Sequence, residues 1–199
     1  MGQRITILLV LFIGTENPQI VKLTTDKEFK LDGFTVRDSY ALNEKERFVI
    51  ASQKTTDKGD IEGLRLIYIK ENKIEFTSPD VGESYIYRPT FYKFQDNSFL
   101  IVCEQGFEYS LGVDVFEFKE GRILKIGNID VASTVDNNPT SIVPSMTIEK
   151  KYGDQYNFTF KGQTVINPGG REETKIDGGL IKGIYIKETG KISLMIKSK

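Results

Sequence analysis

The sequence predicts an all-β protein of antiparallel strands, and three observations carry that prediction. Apolar and polar residues alternate at every second position over much of the chain, in runs rich in β-branched and aromatic residues. Helical periodicity is hard to find anywhere. A pattern of strand, polar turn and strand recurs along the chain, which indicates a repeated supersecondary unit.

The recurring pattern predicts three units of four strands each, which we call strands a to d. The first hairpin of each unit, strands a and b, is predicted at residues 40–51, 91–102 and 148–159. The second hairpin, strands c and d, is predicted at residues 64–76, 113–126 and 183–194. The three units then span roughly residues 30–76, 87–129 and 145–196.

The turns of the second hairpins have residue types that suit a tight turn. Asn72 and Gly121 stand where a two-residue hairpin loop requires a positive φ. Gly190 stands at the left-handed position of a loop that is one residue longer. Three different solutions to one turn geometry support the repeat.

The way in which the three units assemble stays open. Four-strand units of about fifty residues resemble the blades of a propeller, although three blades are fewer than a propeller normally has. A β-trefoil, a two-sheet β-sandwich and a barrel are the alternatives, and we favour a blade-like meander. Residues 18–199 are expected to form a single domain. Residues 19–23 resemble a d strand, and we expect them to pair with the end of the chain.

The first residues have the anatomy of a signal peptide. Arg4 precedes the nine-residue apolar run 5–13, which is too short to span a bilayer and is broken by residues 14–18. The cleavage region lacks a clear Ala-x-Ala motif, and a buried strand is the alternative interpretation. We expect residues 1–17 to be a signal peptide, the protein to be secreted or periplasmic, and no segment to be transmembrane.

Composition excludes several kinds of chemistry. The chain has no His, which removes Ser–His and Cys–His catalysis and imidazole metal sites. Its formal net charge is -1 and it shows no basic stripe, so nucleic acid is not an expected partner. Its single cysteine, Cys103, lies in an apolar run and is expected to be a small buried hydrophobic residue.

Function is expected at one end of the sheets. In an up-and-down meander the b–c and d–a connections emerge at the same end, and here they are long while the a–b and c–d turns are short. Loops on a rigid scaffold commonly carry binding residues. The candidate ligand-binding residues in or beside these connections are Asp57, Asp60, Glu62, Glu104, Phe107, Tyr109 and Arg171.

Three specific chemistries compete at this end. Asp57, Asp60 and Glu62 could ligate calcium, although their spacing does not match the calcium-loop motif. Glu104 could form a glycosidase pair with Asp114 or Glu117. Phe107 and Tyr109, with Tyr85 and Tyr87, could stack on a sugar or grip a peptide. The simpler interpretations are a solvated acidic turn and aromatic residues that belong to the sheets.

No motif fixes an activity, so three functional hypotheses remain. The first is an exported, non-catalytic module that binds a protein or glycan ligand through the long connections, without a required cofactor. The second is a carboxylate-dependent glycan hydrolase. The third is a structural subunit that completes a larger β assembly as an oligomer.

Overall fold

The computed structural model describes residues 14–54, 63–136, 138–152 and 154–197. Strands make up 61% of these residues, and every strand pairing is antiparallel. The only helices in the described ranges are two single turns of 3-10 helix, Val143–Ser145 and Gly178–Leu180. The prediction of an antiparallel all-β protein is therefore confirmed.

Eighteen strands are found in the described ranges. In chain order they are β1 (Gln19–Val21), β2 (Thr24–Thr25), β3 (Phe34–Ala41), β4 (Glu46–Gln53), β5 (Arg65–Lys70), β6 (Lys73–Thr77), β7 (Ile86–Lys93), β8 (Phe99–Gly106), β9 (Ser110–Lys119), β10 (Arg122–Ile129), β11 (Val131–Val135), β12 (Asn138–Thr140), β13 (Met146–Lys151), β14 (Gln155–Phe160), β15 (Gln163–Ile166), β16 (Thr174–Asp177), β17 (Ile181–Ile186) and β18 (Lys191–Ile196).

The strands form four open sheets. Sheet 1 has the order β2-β3-β4-β5-β6, sheet 2 the order β1-β7-β8-β9-β10, sheet 3 the order β13-β14-β17-β18, and sheet 4 the order β12-β11-β15-β16. None of these sheets closes on itself within the described ranges, so the barrel alternative is wrong there. Sheets 1, 2 and 3 each contain a four-strand meander, which lies in the span predicted for one unit.

Sheet 2 is the middle layer of the fold. One of its faces packs against sheet 1, with Phe91, Ile101 and Phe116 meeting the sheet 1 residues Phe48 and Tyr68. Its other face packs against sheets 3 and 4; the buried residues of that core include Leu100, Val102, Val115, Tyr156, Phe158, Tyr185, Val131 and Ile142. Because both faces are covered, β8 is an almost continuous apolar run instead of an alternating one.

Sheet 4 was missed by the sequence reasoning, which treated its strands as loops. Two of its strands lie between β10 and β13, and the other two lie between β14 and β17. These strands are three to five residues long, and β12 includes Pro139. Such short segments are too brief to show a period-2 pattern.

The segment 14–25, which we call the strap, runs along one side of sheets 1, 2 and 3. Glu16 N donates to Lys150 O (3.0 Å) and Lys150 N donates to Glu16 O (2.8 Å), which joins the strap to β13. Next, β1 pairs with β7, and β2 pairs with β3. The strap therefore contacts the first strand of each of the three meanders.

This arrangement corrects the expectation that residues 19–23 pair with the end of the chain. Ile20 lies opposite Tyr92 on β7, whereas the last strand, β18, pairs with β17. β1 lies at the edge of sheet 2, beside the first strand of its meander, whereas β18 is the last strand of the meander in sheet 3. Residues 19–23 resemble a d strand in composition, but composition does not determine which strand they pair with.

The predicted turn geometry is confirmed. Asn72 has φ 63° and Gly121 has φ 73°, and the residue before each also has a positive φ, as a type I′ hairpin turn requires. Gly190 has φ 65° in the longer turn. These turns close the three meanders at the end opposite the long connections.

Candidate binding surface

Aromatic side chains from the β6–β7 and β8–β9 connections meet at one end of sheet 2. Tyr85 precedes β7, and Phe107 and Tyr109 lie between β8 and β9. The rings of Tyr85 and Phe107 contact edge to face, with their centroids 6.0 Å apart. Tyr85 is 53% exposed and Tyr109 is 38% exposed, so both rings face solvent while most large aromatic residues are buried.

The turn between β15 and β16 completes this surface. A Cβ atom added to Gly169 would lie 2.8 Å from Tyr109 Oη, so the backbone of this turn packs directly against the ring. Gly169 has φ 74°, and its N–H donates to Glu173 Oε2 (3.1 Å), which closes the turn around the exposed Arg171. We define the loop-end surface as Tyr85, Phe107, Tyr109, Gly169 and Arg171.

Tyr85 is held in place from sheet 1. The side chain of Arg37 donates to the carbonyl oxygen of Tyr85. Arg37 is the extra residue of a bulge in β3, since the register with β4 shifts between Val36 and Asp38. A bulge changes the direction of the side chain, and here it sends the guanidinium toward sheet 2.

The structure brings three of the predicted site residues to one end. Phe107 and Tyr109 are in the same short loop, and Arg171 is two residues from the glycine that touches Tyr109. Glu104 lies on β8, with its side chain on the face that packs against sheets 3 and 4, because its cross-strand partner is Val113. The other candidates, Asp57, Asp60 and Glu62, lie outside the described residues.

Sequence reasoning missed two residues that build this surface. Arg37 gave no signal, because a bulge depends on the register between two strands and not on local composition. Gly169 had a signal in the Gly-Gly pair at 169–170, which marks a turn, but the pair did not indicate that Tyr109 would be its neighbour.

The carboxylates considered for a glycosidase pair do not meet. Glu104 and Asp114 project from opposite faces of sheet 2, since Asp114 lies opposite Cys103 and Glu104 opposite Val113. Glu117 shares the face of Glu104, but its position lies four residues along β9 from Val113, which is about 13 Å at the usual rise of a strand. A glycosidase pair needs a separation of about 5–10 Å.

Asp114 belongs to a buried polar cluster between sheets 1 and 2. Its carboxylate accepts from Tyr87 Oη (3.0 Å) and pairs with Lys125 Nζ (2.7 Å). Burial, with the charge of Asp114, raises the pKa of the neighbouring Cys103 thiol well above its ordinary value. The fully buried thiol confirms the predicted structural role of Cys103, because a reactive thiolate needs exposure and a lowered pKa.

The opposite end of the fold carries an ion-pair network as well as the exposed ring of Tyr152. Asp96 and Asp154 share the ammonium groups of Lys119 and Lys150, and Asp154 also pairs with Lys187 (3.2 Å). These residues lie in or beside the tight turns of sheets 2 and 3. In sheet 2 the expected difference in loop length is wrong, since the β8–β9 connection covers only residues 107–109 while the β7–β8 turn covers residues 94–98.

In the ranges that the structure describes, no group of three or more acidic or cysteine side chains is arranged to hold a metal ion. The residues weighed as calcium ligands are outside those ranges. Within the same ranges, no helix has the length and apolar character needed to cross a membrane.

Comparison of the chain with models of protein families, with curated proteins and with solved structures gives no match.

Proposed function

We propose that the chain is an exported, non-catalytic interaction module that binds a protein partner through the loop-end surface. The observation that carries the proposal is the exposed ring of Tyr85, in edge-to-face contact with the half-buried Phe107, with the exposed Tyr109 in the same loop as Phe107. Tyr and Arg are enriched at the energetic centres of protein interfaces. Tyr85, Tyr109 and Arg171 supply both residue types on one surface.

The support behind these rings favours a preorganised surface. Tyr85 is fixed through its carbonyl by Arg37, and Tyr109 rests against Gly169. Binding then orders few additional side chains, which lowers the entropic cost of association. The export part of the proposal rests on Arg4 and the apolar run 5–13.

We also propose that the three meanders are copies of one unit and pack like successive blades of a propeller. Two features support this. The meanders of sheets 1, 2 and 3 stack face to face, with sheet 2 between the other two. Each one also closes its last hairpin with positive φ angles.

The binding proposal can be tested with tyrosine variants. The full-length protein is screened against a displayed library of protein domains and against a glycan array. A Tyr85→Ala, Tyr109→Ala double variant is expected to lose at least about 30-fold in affinity for the bound domain, the size of a hot-spot loss. Tyr152→Ala is the matched control, because Tyr152 is 81% exposed but lies in the β13–β14 turn at the opposite end.

Each outcome bears on the proposal. Equal losses in the double variant and in Tyr152→Ala would contradict a site at the loop end. Tyrosine-dependent binding to glycans alone would replace the protein partner with a carbohydrate. The absence of any tyrosine-dependent binder in both screens would reject the module as proposed.

A second candidate function is a structural subunit of a larger β assembly. The outer face of sheet 1 is covered by Phe29 and Leu31, but the outer face of sheet 3 exposes Ile186 (40%) and Met195 (48%). A further sheet could pack there, although Thr159 and Ser193 make the face partly polar, as on a terminal repeat. Sedimentation at working concentration tests this, and a monomer contradicts it.

A further inference from the structure

The strap leaves a groove where it crosses from sheet 2 to sheet 1. Residues 19–21 pair with β7, and residues 24–25 pair with β3. Where the strap passes between these two pairings, it borders a recess of about 420 Å³ together with β3 and residues 89–91 of β7, which we call the strap groove. Ligand sites commonly measure about 300–1,000 Å³, so the groove is large enough for a small molecule.

The lining of the strap groove is mostly apolar. Six of the nine described residues that line it have apolar or aromatic side chains: Ile20, Val21, Leu23, Tyr40, Pro89 and Phe91. Ile20 is 63% exposed, so part of this apolar surface faces solvent and is not used by the core. A mostly apolar lining favours a ligand with an apolar body. Because the groove follows three successive residues of β7, a chain that lies along the strand can contact all three.

The aromatic wall of the strap groove is anchored in the core between sheets 1 and 2. The rings of Tyr40 and Phe91 contact edge to face, with their centroids 5.3 Å apart. Phe91 also stacks on the fully buried Phe48, with centroids 5.4 Å apart. Core packing therefore fixes this wall before a ligand arrives, which lowers the entropic cost of binding.

The charges at the strap groove favour an anionic ligand. Of the nine described residues that line the groove, Lys22 alone is charged. Lys22 is exposed and has no ion pair among the described residues. Burial and the charge of Asp38 raise the pKa of Tyr40, but Asp38 is itself paired with Arg37 (3.8 Å). The groove thus combines an apolar lining with one uncompensated ammonium group, which an amphiphile with a negative head group complements.

We propose that the strap groove binds a single-chain carboxylate of the fatty-acid class, with its alkyl chain against the apolar lining and its carboxylate at the ammonium group of Lys22. The strap groove shares no residue with the loop-end surface. It is therefore a second site, and it does not depend on the proposed protein partner.

The test is calorimetric titration of the full-length protein with hexanoate, octanoate and decanoate, each kept below the concentration at which it forms micelles. Affinity is expected to rise about fourfold for each methylene group that enters the groove. Octylammonium, which has the same chain length as octanoate but the opposite charge, is expected to bind at least about tenfold more weakly. The net charge of the chain is -1, so non-specific attraction would favour the ammonium compound instead. Absence of carboxylate binding, or equal binding of octanoate and octylammonium, would overturn the proposal.

Variants at exposed positions locate the site. Lys22→Met removes the charge and is expected to weaken octanoate binding at least about tenfold. Lys161→Met is the matched control, because Lys161 is also exposed but does not line the groove, and it should change the affinity less than about twofold. Thr25→Phe places a large ring at the groove and is expected to weaken the binding of all three carboxylates.

Two results with these variants would overturn the assignment. Equal affinities in Lys22→Met and Lys161→Met would show that the carboxylate does not bind at Lys22. Sedimentation of the protein without ligand gives the second result: a dimer that Thr25→Phe dissociates would assign the groove to a second copy of the chain.

Discussion

The ammonium of Lys125 lies 2.7 Å from the carboxylate of Asp114, which is 5% exposed between two sheets. Lys125 reaches this position from the edge strand β10, and its own side chain is 36% exposed. One partner is thus buried while the other reaches solvent. Removing one partner of such a pair destabilises the protein, because the buried charge is then left uncompensated.

We expect Lys125→Met to lower the free energy of unfolding by about 2–3 kcal/mol, somewhat below the cost of breaking a fully buried pair. The reason is that, among the described residues, the hydrogen bond from Tyr87 is the only one that the Asp114 carboxylate would keep. Urea denaturation at pH 7 measures the change. Lys45→Met is the control, since Lys45 and Glu71 pair at 3.2 Å with both side chains mostly exposed, and its cost should stay below about 1 kcal/mol. Equal costs would contradict the prediction.

Two buried tyrosines should respond in opposite ways to loss of the hydroxyl. Tyr87→Phe is expected to cost about 1–3 kcal/mol, because Tyr87 Oη donates to the Asp114 carboxylate. Tyr92→Phe is expected to be neutral or stabilising by about 1 kcal/mol, because Tyr92 Oη is buried with no hydrogen-bond partner among the described residues. Thermal or urea unfolding of both variants gives the comparison. A large loss in Tyr92→Phe would show that its hydroxyl has a partner.

Acid should weaken the network at the tight-turn end. Burial raises the pKa of the Asp96 carboxyl, but hydrogen bonds from Lys150 and Ser98 and the charge of Lys150 outweigh it, so the pKa is lowered from 3.8. A lowered folded-state pKa adds stability above the unfolded-state value, and this is lost as the pH falls toward the folded-state value. Because the Asp96 side chain is 40% exposed, solvent screening holds the contribution to about 1 kcal/mol.

Asp96→Asn should therefore be less stable than the wild type at pH 7, with a difference that shrinks between pH 5 and pH 2. Urea midpoints measured across this interval test the trend. Asp32→Asn serves as the control, since Asp32 is exposed, and it should change stability little at any pH. A constant difference for Asp96→Asn at all pH values would show that the aspartate does not act through its charge.

Alkali should act through two tyrosines, the buried Tyr92 and the half-buried Tyr40. Burial, followed by the charge of Asp38, raises the pKa of Tyr40 to about 12, and burial raises the pKa of Tyr92 to about 12. A raised folded-state pKa adds stability below the unfolded-state value near 10, and this stability is lost as the pH rises from 10 to 12.

Absorbance titration of tyrosinate, with and without urea, checks this prediction. The native protein should lack part of the absorbance change that the unfolded chain shows near pH 10. Tyr40→Phe and Tyr92→Phe should each reduce the missing part. Identical titrations of the native and unfolded protein would contradict the assigned burial.

The sequence predicted correctly those structural features that depend on a local pattern of residues. The positive φ angles of Asn72, Gly121 and Gly190 follow from turn chemistry, and the burial of Cys103 follows from its apolar run. It failed where a strand chooses a distant partner. Residues 19–21 could not reveal that they pair with β7, and the short strands of sheet 4 carry no readable period.

The same distinction applies to the loop-end surface: the sequence predicted some of its residues but not the contacts between them. Phe107 and Tyr109 were found because they are aromatic residues in a loop at the expected end of the sheets. The contact of Tyr109 with Gly169 and the support of Tyr85 by Arg37 join positions far apart in the chain. Such contacts depend on the packing of one sheet against another, which local sequence does not encode.

The strap also sets the order in which the chain can finish folding. Glu16 is among the first described residues to leave the ribosome, but its partner Lys150 is made only when most of the chain has emerged. Sheets 1 and 2, which include the strap strands β2 and β1, can form earlier, whereas Glu16 must wait for β13 before it can make a contact of very long sequence separation. Joining Glu16 to Lys150 is therefore expected to be a late event, which makes release of Glu16 from β13 an early step of unfolding.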